Sequence, residues 1–208
     1  MLKRNLIQSS FLSLAIAACF TMTAAADLTN NGGFETGDTS GWVEFPTANS
    51  TFTITSDANS GSWAAEVFNN DVAAGAVVKQ ANLGIGVVNP GDLINISFAA
   101  KGSFAAGGVA FAEFFSEIDG GGTSSNEILG GGPLNLTSSY QTFNFQTVAG
   151  SDVSGGITLQ FAAVTGGAPG STAVLFIDDA RVSIVPEPAS ISVLAAGLFG
   201  FILRRRRR

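Results

Sequence analysis

The sequence predicts an all-β protein whose body is an antiparallel β-sandwich of the jelly-roll type. Three observations predict this fold. Residues 27–185 contain short runs rich in Val, Ile, Phe and Thr, which are typical of strands. Turn-forming Gly, Asn, Asp and Ser separate these runs, and no long segment has the 3.6-residue period of an amphipathic helix. Strands without intervening helices pack as two sheets, and a body of about 160 residues can bury a core between them.

The body contains nine candidate strands. They span residues 42–45, 51–55, 63–68, 76–80, 93–100, 108–118, 140–148, 157–164 and 173–184. In three of them apolar and polar side chains alternate, as in strands with one buried and one solvated face. We expect the buried face to carry Ile94, Ile96, Phe98, Phe143, Phe145, Ile157, Leu159 and Phe161.

The polar positions of these strands hold amides, hydroxyls and one tyrosine. Tyr140, Asn144 and Gln146 share one face of strand 140–148. Side chains of these types can form hydrogen bonds with the hydroxyl groups of a sugar. They are equally typical of an ordinary solvated sheet, so both interpretations stay open.

Strand 108–118 admits two arrangements. Phe111, Glu113, Phe115 and Glu117 alternate along one face. If the glutamates face solvent, a sugar ring can stack on Phe115 while the carboxylate of Glu113 accepts its hydroxyl hydrogen bonds. Alternatively, a β-bulge interrupts the alternation and buries both rings. We expect the second arrangement.

Charge and composition exclude several classes of function. Residues 27–185 carry three basic and fifteen acidic side chains, a net charge of −12. Such a body repels phosphate backbones, so we expect no nucleic-acid partner. The chain has no histidine and one cysteine. This excludes Ser-His-Asp and Cys-His catalytic sites and the zinc sites built from Cys and His.

The N-terminus has the three parts of a secretion signal. The first residues include two basic side chains, residues 6–20 are largely apolar, and a run of three alanines ends at Ala26. Signal peptidase cleaves after small residues, so we predict cleavage between Ala26 and Asp27.

A second interpretation of the N-terminus is lipidation. The segment Ile16-Ala17-Ala18-Cys19 resembles a bacterial lipobox, in which Cys19 would carry the lipid and become the first residue. Either interpretation predicts that the body is exported.

The C-terminus combines a proline pair, an apolar segment and a basic tail. Pro186-Glu187-Pro188 precedes residues 189–203, which carry no charge. At about 1.5 Å per residue, a helix of this length spans about 22 Å, less than the ~30 Å hydrocarbon core. Arginines resist translocation, so we expect the tail to stay cytosolic and the helix to anchor the chain in the membrane. The tail consists of Arg204, Arg205, Arg206, Arg207 and Arg208.

These three parts, beginning at Val185, resemble the PEP-CTERM sorting signal of Gram-negative bacteria. The resemblance implies recognition by a membrane exosortase, cleavage near Pro186-Glu187-Pro188, and transfer of the body to the cell surface or the outside. It also implies an association with exopolysaccharide and biofilm formation. The alternative is a plain single-pass anchor. We therefore expect a signal peptide at 1–26, a β-sandwich at 27–185 and a sorting signal at 186–208.

Three short segments open, continue and close the body. They are Asn31-Gly32-Gly33-Phe34-Glu35-Thr36-Gly37 with Gly41-Trp42, Asn59-Ser60-Gly61-Ser62-Trp63-Ala64-Ala65-Glu66-Val67, and Phe176-Ile177-Asp178-Asp179-Ala180-Arg181-Val182. In this order they resemble jelly-roll carbohydrate-binding modules with a galactose-binding-like fold.

The second resemblance implies a structural calcium ion. Its side-chain ligands would be Glu35 and Asp178, with Asp179 as the less favoured choice, and Asn59 and Gly61 would offer carbonyl oxygens. Calcium takes six to eight oxygen ligands, which suits paired carboxylates in an acidic domain. Alternatively, Glu35 caps a turn and the two aspartates end a strand in water.

The sequence thus predicts an exported, non-catalytic protein that is a structural component of an exopolysaccharide or biofilm matrix. The alternative is a calcium-stabilised carbohydrate-binding module, although we expect Trp42 and Trp63 to be buried and unavailable to a sugar. A small polysaccharide hydrolase is a distant alternative. The α-carbons of Glu113 and Glu117 would lie roughly 13 Å apart on one strand, which is too far for a glycosidase pair.

Overall fold

The body folds into two five-stranded antiparallel sheets that pack face to face. The computed structural model describes residues 26–186 of the 208-residue chain. Sheet I has the strand order β1-β4-β9-β6-β7, and sheet II has the order β2-β3-β10-β5-β8. The strands are β1 Val43–Phe45, β2 Ser50–Thr55, β3 Ala64–Asn69, β4 Gly75–Leu83, β5 Leu93–Ala105, β6 Val109–Glu117, β7 Thr123–Ile128, β8 Gln141–Val148, β9 Ile157–Val164 and β10 Thr172–Ile184. The all-β sandwich is confirmed.

Nine of these strands correspond to the predicted ones, and β7 was not predicted. Its sequence, Thr-Ser-Ser-Asn-Glu-Ile, lacks the apolar residues that mark a strand. It lies at the edge of sheet I and pairs only with β6. Ser125 Oγ donates to Ser116 Oγ at 2.9 Å, and Glu127 Oε2 accepts from Thr147 Oγ1 at 2.6 Å. Polar contacts therefore hold this strand in place of apolar burial.

The predicted alternation places the core between the sheets. Ile94, Ile96 and Phe98 of β5 are buried, as are Ile157, Leu159 and Phe161 of β9. Phe98 meets Phe161 edge to face across the sandwich, with ring centroids 4.8 Å apart. Edge-to-face packing is a favourable geometry for aromatic pairs. Phe143 and Phe145 of β8 point to the same side and pack against this core.

The tryptophans of the two opening segments have different environments. Trp42 is buried and stacks on Phe34, with centroids 5.5 Å apart. Trp63 was expected to be buried, but 39% of it is exposed. The expectation was wrong because Trp63 precedes β3 and lies in the loop that contacts Glu35, outside the sheet.

Strand β10 changes face at a β-bulge. Asp178 pairs with Ala99 and Arg181 pairs with Ser97, so three steps on β10 match two on β5. Asp179 takes a left-handed φ of 52°, which aspartate tolerates better than most residues. The bulge keeps the apolar side chains inward on both sides of it, namely Leu175, Ile177, Ala180 and Val182. It also turns Arg181 outward.

Several predictions concern residues that lie outside the described part of the chain. They are the signal peptide up to Ala25, the alternative lipidation at Cys19, Glu187 and Pro188 of the sorting motif, the helix 189–203 and the arginine tail. Within residues 26–186, no helix is long and apolar enough to cross a membrane.

Candidate functional site

The five residues predicted to bind a glycan lie on opposite faces of the sandwich. Glu113 and Phe115 are on the outer face of sheet I, in β6. Asn144 and Gln146 are on the outer face of sheet II, in β8, and Tyr140 immediately precedes that strand. A single site that contains all five is therefore excluded by the fold.

The outer face of sheet I carries the unbroken alternation of β6. Phe111, Glu113, Phe115 and Glu117 are half-buried on the outside, while the residues between them are buried. The expectation that a bulge buries both rings was wrong. β6 stays in register with β9 from Val109 to Ser116, and its irregularity is in the pairing with β7, after Ser116. We call these four outward side chains the β6 row.

Side chains of the neighbouring strand fix both glutamates of the β6 row. Gln160 Nε2 donates to Glu113 Oε2 at 2.6 Å. Thr158 Oγ1 donates to Glu117 Oε1 at 2.7 Å. Each carboxylate has a second oxygen that can accept a further hydrogen bond. The result is an alternation of ring faces and oriented carboxylates on one strand.

The β6 row continues across sheet I toward β4 and β1. Lys79 of β4 lies with its Nζ 5.0 Å from the ring centroid of Phe45. Phe45 and Val43 of the edge strand β1 are each about half exposed. A cavity of about 270 Å³ lies at one end of this face, lined in part by Lys79, Glu117 and Asp119. The face therefore combines apolar rings, one cation and several carboxylates.

Tyr140 takes part in a structural cluster at the edge of sheet II. Its Oη donates to the carbonyl oxygen of Asp57 at 2.6 Å. Lys101 Nζ lies 4.7 Å from the centroid of the Tyr140 ring and 4.8 Å from that of Phe176, and it pairs with Asp57 at 2.5 Å. Burial, followed by the nearby negative charge of Asp178, raises the pKa of Tyr140. These contacts occupy the hydroxyl group and one face of the ring of Tyr140.

Two aspartates at the β10 bulge hold the loop between β2 and β3. Asp178 is fully buried, and its Oδ2 accepts the backbone N–H groups of Asn59 at 2.8 Å and Ser60 at 3.0 Å. Asp179 accepts the side chains of the same two residues, at 2.9 Å and 2.7 Å. Burial raises the pKa of Asp178, and the backbone hydrogen bonds oppose that shift.

Glu35 holds the following part of the same loop. Its Oε1 accepts the backbone N–H groups of Ser62 and Trp63, each at 2.9 Å. Gly61 has a left-handed φ of 65°, and a Cβ at this position would lie 2.4 Å from Glu35 Oε1. Glycine is therefore required where the backbone meets the carboxylate.

The carboxylates of Glu35, Asp178 and Asp179 provide the oxygen donors that calcium prefers. At Gly33 a Cβ would lie 3.7 Å from Asp178 Oδ1 and 3.9 Å from Asp179 Oδ1, so both carboxylates border this small space. The carbonyl oxygens of Asn59 and Gly61, which the resemblance offers as further ligands, stay a prediction. Asn59 donates its backbone N–H to Asp178 and its side-chain N–H to Asp179, and Gly61 lets the backbone approach the carboxylate of Glu35 closely. Within residues 26–186, no cluster of three or more acidic, His or Cys side chains forms a metal centre.

Sequence comparison decides the nature of the C-terminus. Residues 185–208 match the model of the PEP-CTERM protein-sorting motif. The chain carries a PEP-CTERM sorting signal. This signal implies exosortase processing, export and surface sorting, as the Pro-Glu-Pro, apolar and arginine segments predicted. No curated protein sequence matches the chain.

The fold is similar to those of several solved carbohydrate-binding modules. The xylan-binding domain CBM22-1 of Xyn10C from Paenibacillus barcinonensis superposes with a TM-score of 0.56 at 16% identity, covering 81% of this chain and 100% of that one. The CBM22-1-GH10 modules of Clostridium thermocellum xylanase 10B, complexed with xylohexaose, give 0.56 at 16% identity, covering 79% and 30%. The enzymatically active domain of bacteriophage CBA120 tailspike protein 4 gives 0.57 at 15% identity, covering 76% and 21%.

These likenesses show the fold alone, because the identities are low. This chain spans about a fifth of the length of the tailspike chain and under a third of the xylanase chain. The predicted antiparallel β-sandwich, resembling that of jelly-roll carbohydrate-binding modules, is confirmed.

The sequence-based interpretation did not assign three residues of the outer face of sheet I to a site. Thr158 and Gln160 alternate with the buried residues of a predicted strand, and Lys79 lies in another. Their outward position could be found from the alternation. Their proximity to the glutamates of β6 could not, because the pairing of β9 with β6 joins residues that are more than forty positions apart.

Proposed function

We propose that this exported PEP-CTERM protein is a non-catalytic polysaccharide-binding component of the cell-surface or extracellular matrix. Exosortase cleavage near Pro186-Glu187-Pro188 passes the sandwich to the surface. There the outer face of sheet I binds a chain of the surrounding exopolysaccharide.

The observation that carries this proposal is the β6 row. A pyranose ring has C–H faces that pack on aromatic rings and equatorial hydroxyls that donate to carboxylates. Phe111 and Phe115 provide the ring faces, and Glu113 and Glu117 lie beside them with one oxygen each already fixed by a neighbour. The open face suits an extended chain better than a small molecule. The fold shared with xylan-binding domains supports this proposal.

Retention on polysaccharide tests the binding face. The full-length protein, purified in detergent, would be run through native gels that contain exopolysaccharide from the producing cells or soluble xylan. We expect Glu113→Gln combined with Phe115→Ala to lower the apparent affinity at least about tenfold, because a charge-assisted hydrogen bond and a stacking contact are both lost.

A matched control keeps this test specific. Phe68→Ala removes a half-buried phenylalanine on the outer face of sheet II, and we expect it to leave retention on these gels unchanged. The proposed binding face is contradicted if the β6-row variant and the control migrate alike, or if the wild-type chain is not retarded by any of the polysaccharides.

Processing is tested separately from binding. With alanine at positions 186, 187 and 188, we expect a membrane-bound precursor to accumulate and the mature form to disappear from the surface fraction. Immunoblots of membrane, surface and medium fractions would show this change. Unaltered release of the triple variant would reject exosortase processing at this motif.

We also propose that calcium stabilises the sandwich at Glu35, Asp178 and Asp179. The oxygen-only donor set supports this proposal, and binding would require rearrangement of the loop at Asn59. A ligand that binds only the folded state raises the unfolding temperature. We expect millimolar calcium to raise the melting temperature of the wild type relative to an EDTA sample, and to raise that of Glu35→Ala much less. Equal responses would remove Glu35 as a ligand.

A further inference from the structure

The outer face of sheet II contains a polar groove on the side of the molecule opposite the β6 row. A cavity of about 670 Å³ lies along β5, β8 and β10, within the size range of ligand pockets. Its lining includes Asp27, Asn95, Asn144, Gln146 and Arg181. A second cavity of about 320 Å³ continues it toward Asn59 and Asp179, and shares Asn144 and Arg181 with the first.

Strand register arranges the groove as two polar rungs across three strands. The first rung consists of Ser183, Asn95 and Gln146, and the second of Arg181, Ser97 and Asn144. Neighbouring strands lie about 4.8 Å apart, and successive outward residues about 6.6 Å apart. Gln146 Nε2 donates to Asn95 Oδ1 at 2.8 Å, which orients both amides of the first rung.

The bulge in β10 is what completes these rungs. It adds one residue between Asp178 and Arg181, and so reverses which side chains point outward. Without it, Val182 would face the groove and Arg181 the core. The strained φ of Asp179 therefore has a consequence for the surface as well as for the core.

Among residues 26–186, no carboxylate forms an ion pair with the guanidinium of Arg181 in the groove. The one ion pair within residues 26–186 joins Lys101 to Asp57, so no carboxylate of that region lies within 4.0 Å of the guanidinium. The body nevertheless carries fifteen carboxylates. A guanidinium has five N–H donors in a planar arrangement, which can bind two acceptor oxygens at once.

The charges around Arg181 favour a neutral ligand. Asp27 lines the first cavity and Asp179 the second, so a carboxylate lies in the lining on each side of the arginine. A polyanion would meet these carboxylates and the net charge of −12 on the body. Hydroxyl groups suit this lining better, because each can accept from the guanidinium or an amide and also donate to a carboxylate.

We propose that this groove is a second binding site, for a neutral polysaccharide, centred on Arg181 and Asn144. It lies on the opposite sheet from the β6 row, so one domain can hold two chains at once and cross-link them. Cross-linking rests on the proposed function of the β6 row, whereas binding in the groove depends on different residues.

The test combines retention and cross-linking. The full-length protein in detergent would be mixed with the neutral fraction of the exopolysaccharide from the producing cells, separated from the anionic fraction by ion exchange. Native gels containing that fraction report binding, and turbidity reports cross-linking. The groove variant is Asn144→Ala with Arg181→Ala, and the control is Thr51→Ala with Thr53→Ala, two exposed positions elsewhere on sheet II.

The expected results separate the two sites. We expect the groove variant to remain retarded in the gel, because the β6 row still binds, and to give no turbidity. When Glu113→Gln and Phe115→Ala are added to it, we expect binding to become about tenfold weaker than that of the groove variant. The control should match the wild type. Circular dichroism would confirm that each variant is folded.

Three outcomes would overturn the second site. In the first, the groove variant cross-links the polysaccharide like the control. In the second, the protein is retarded by the anionic fraction alone. In the third, the β6-row variant loses all binding and the groove variant binds like the wild type. The last outcome leaves the proposed function intact. Binding that survives loss of the β6 row and disappears with the groove variant would support the groove and reject the β6 row.

Discussion

The carboxylate of Asp178 accepts the backbone N–H of Asn59 at 2.8 Å, across 119 positions of the sequence. This contact joins β10 to the loop between β2 and β3. Asp178 Oδ2 also accepts the N–H of Ser60, and Oδ1 accepts the N–H of Asp179 at 2.7 Å. One buried side chain therefore satisfies three backbone donors near the bulge.

Removal of this carboxylate is expected to destabilise the sandwich. Asp178→Ala would leave buried N–H groups without acceptors, and we expect a loss of about 3 kcal/mol in the free energy of unfolding. Asp178→Asn keeps one acceptor oxygen and should lose less. Urea unfolding followed by tryptophan fluorescence measures both. Equal stability of Asp178→Ala and the wild type would contradict the role of this contact.

The pH dependence of stability is expected to reflect the raised pKa of Asp178. Burial raises this pKa in the folded state above its ordinary value of 3.8, so the folded state binds the proton more tightly than the unfolded state does. The stabilising contribution is therefore present below about pH 4 and is lost as the pH rises through the folded pKa. In EDTA, the wild type should gain stability relative to Asp178→Asn as the pH falls from 7. A constant difference between the two would contradict the raised pKa.

Tyr140 gives a test at alkaline pH, since it is the only tyrosine in the chain. Burial and nearby carboxylates raise its pKa above the ordinary value of 10. Its contribution to stability is thus present below pH 10 and is lost as the pH rises through the folded pKa. Absorbance titration should show ionisation only well above pH 10 in the folded protein. The stability advantage of the wild type over Tyr140→Phe should shrink between pH 9 and pH 11, and an ordinary titration near pH 10 would contradict the burial.

Gly32 is expected to tolerate no side chain. A Cβ at this position would lie 1.9 Å from the carbonyl oxygen of Ala180. The backbone N–H of Ala180 in turn donates to the carbonyl oxygen of Gly32 at 2.9 Å. We expect Gly32→Ala to cost about 3 kcal/mol or to prevent folding, because backbone must move on both sides. Gly132→Ala is the matched control, since no atom lies within 4 Å of the Cβ there and the backbone is extended. Thermal melts that show the same loss for both would contradict this contact.

The glycine in the opening segment shows how far local sequence predicts the fold. The Asn-Gly-Gly-Phe-Glu segment and the closing Asp-Asp pair resemble parts of a known fold. The structure brings the two segments together through the hydrogen bond between Ala180 and Gly32. The contact itself could not be predicted from the residues, because it depends on how β10 is placed relative to the N-terminal segment.

Sequence by itself determined the strands, their buried faces and the C-terminal sorting signal. These depend on local patterns: alternation with a period of two, turn residues between the runs, and one contiguous motif. The polar edge strand β7 was missed because its stability comes from neighbours instead of its own apolar residues.

Only the tertiary structure decided which polar residues share a face. Glu113 and Asn144 were grouped by chemistry, yet strand order places them on opposite sheets. Strand pairing also places Arg181 beside Ser97 and Asn144, two residues of other strands that are distant from it in sequence. Strand pairing joins residues that are distant in sequence, and its register is selected by the packing of the whole core, so these arrangements are properties of the folded chain.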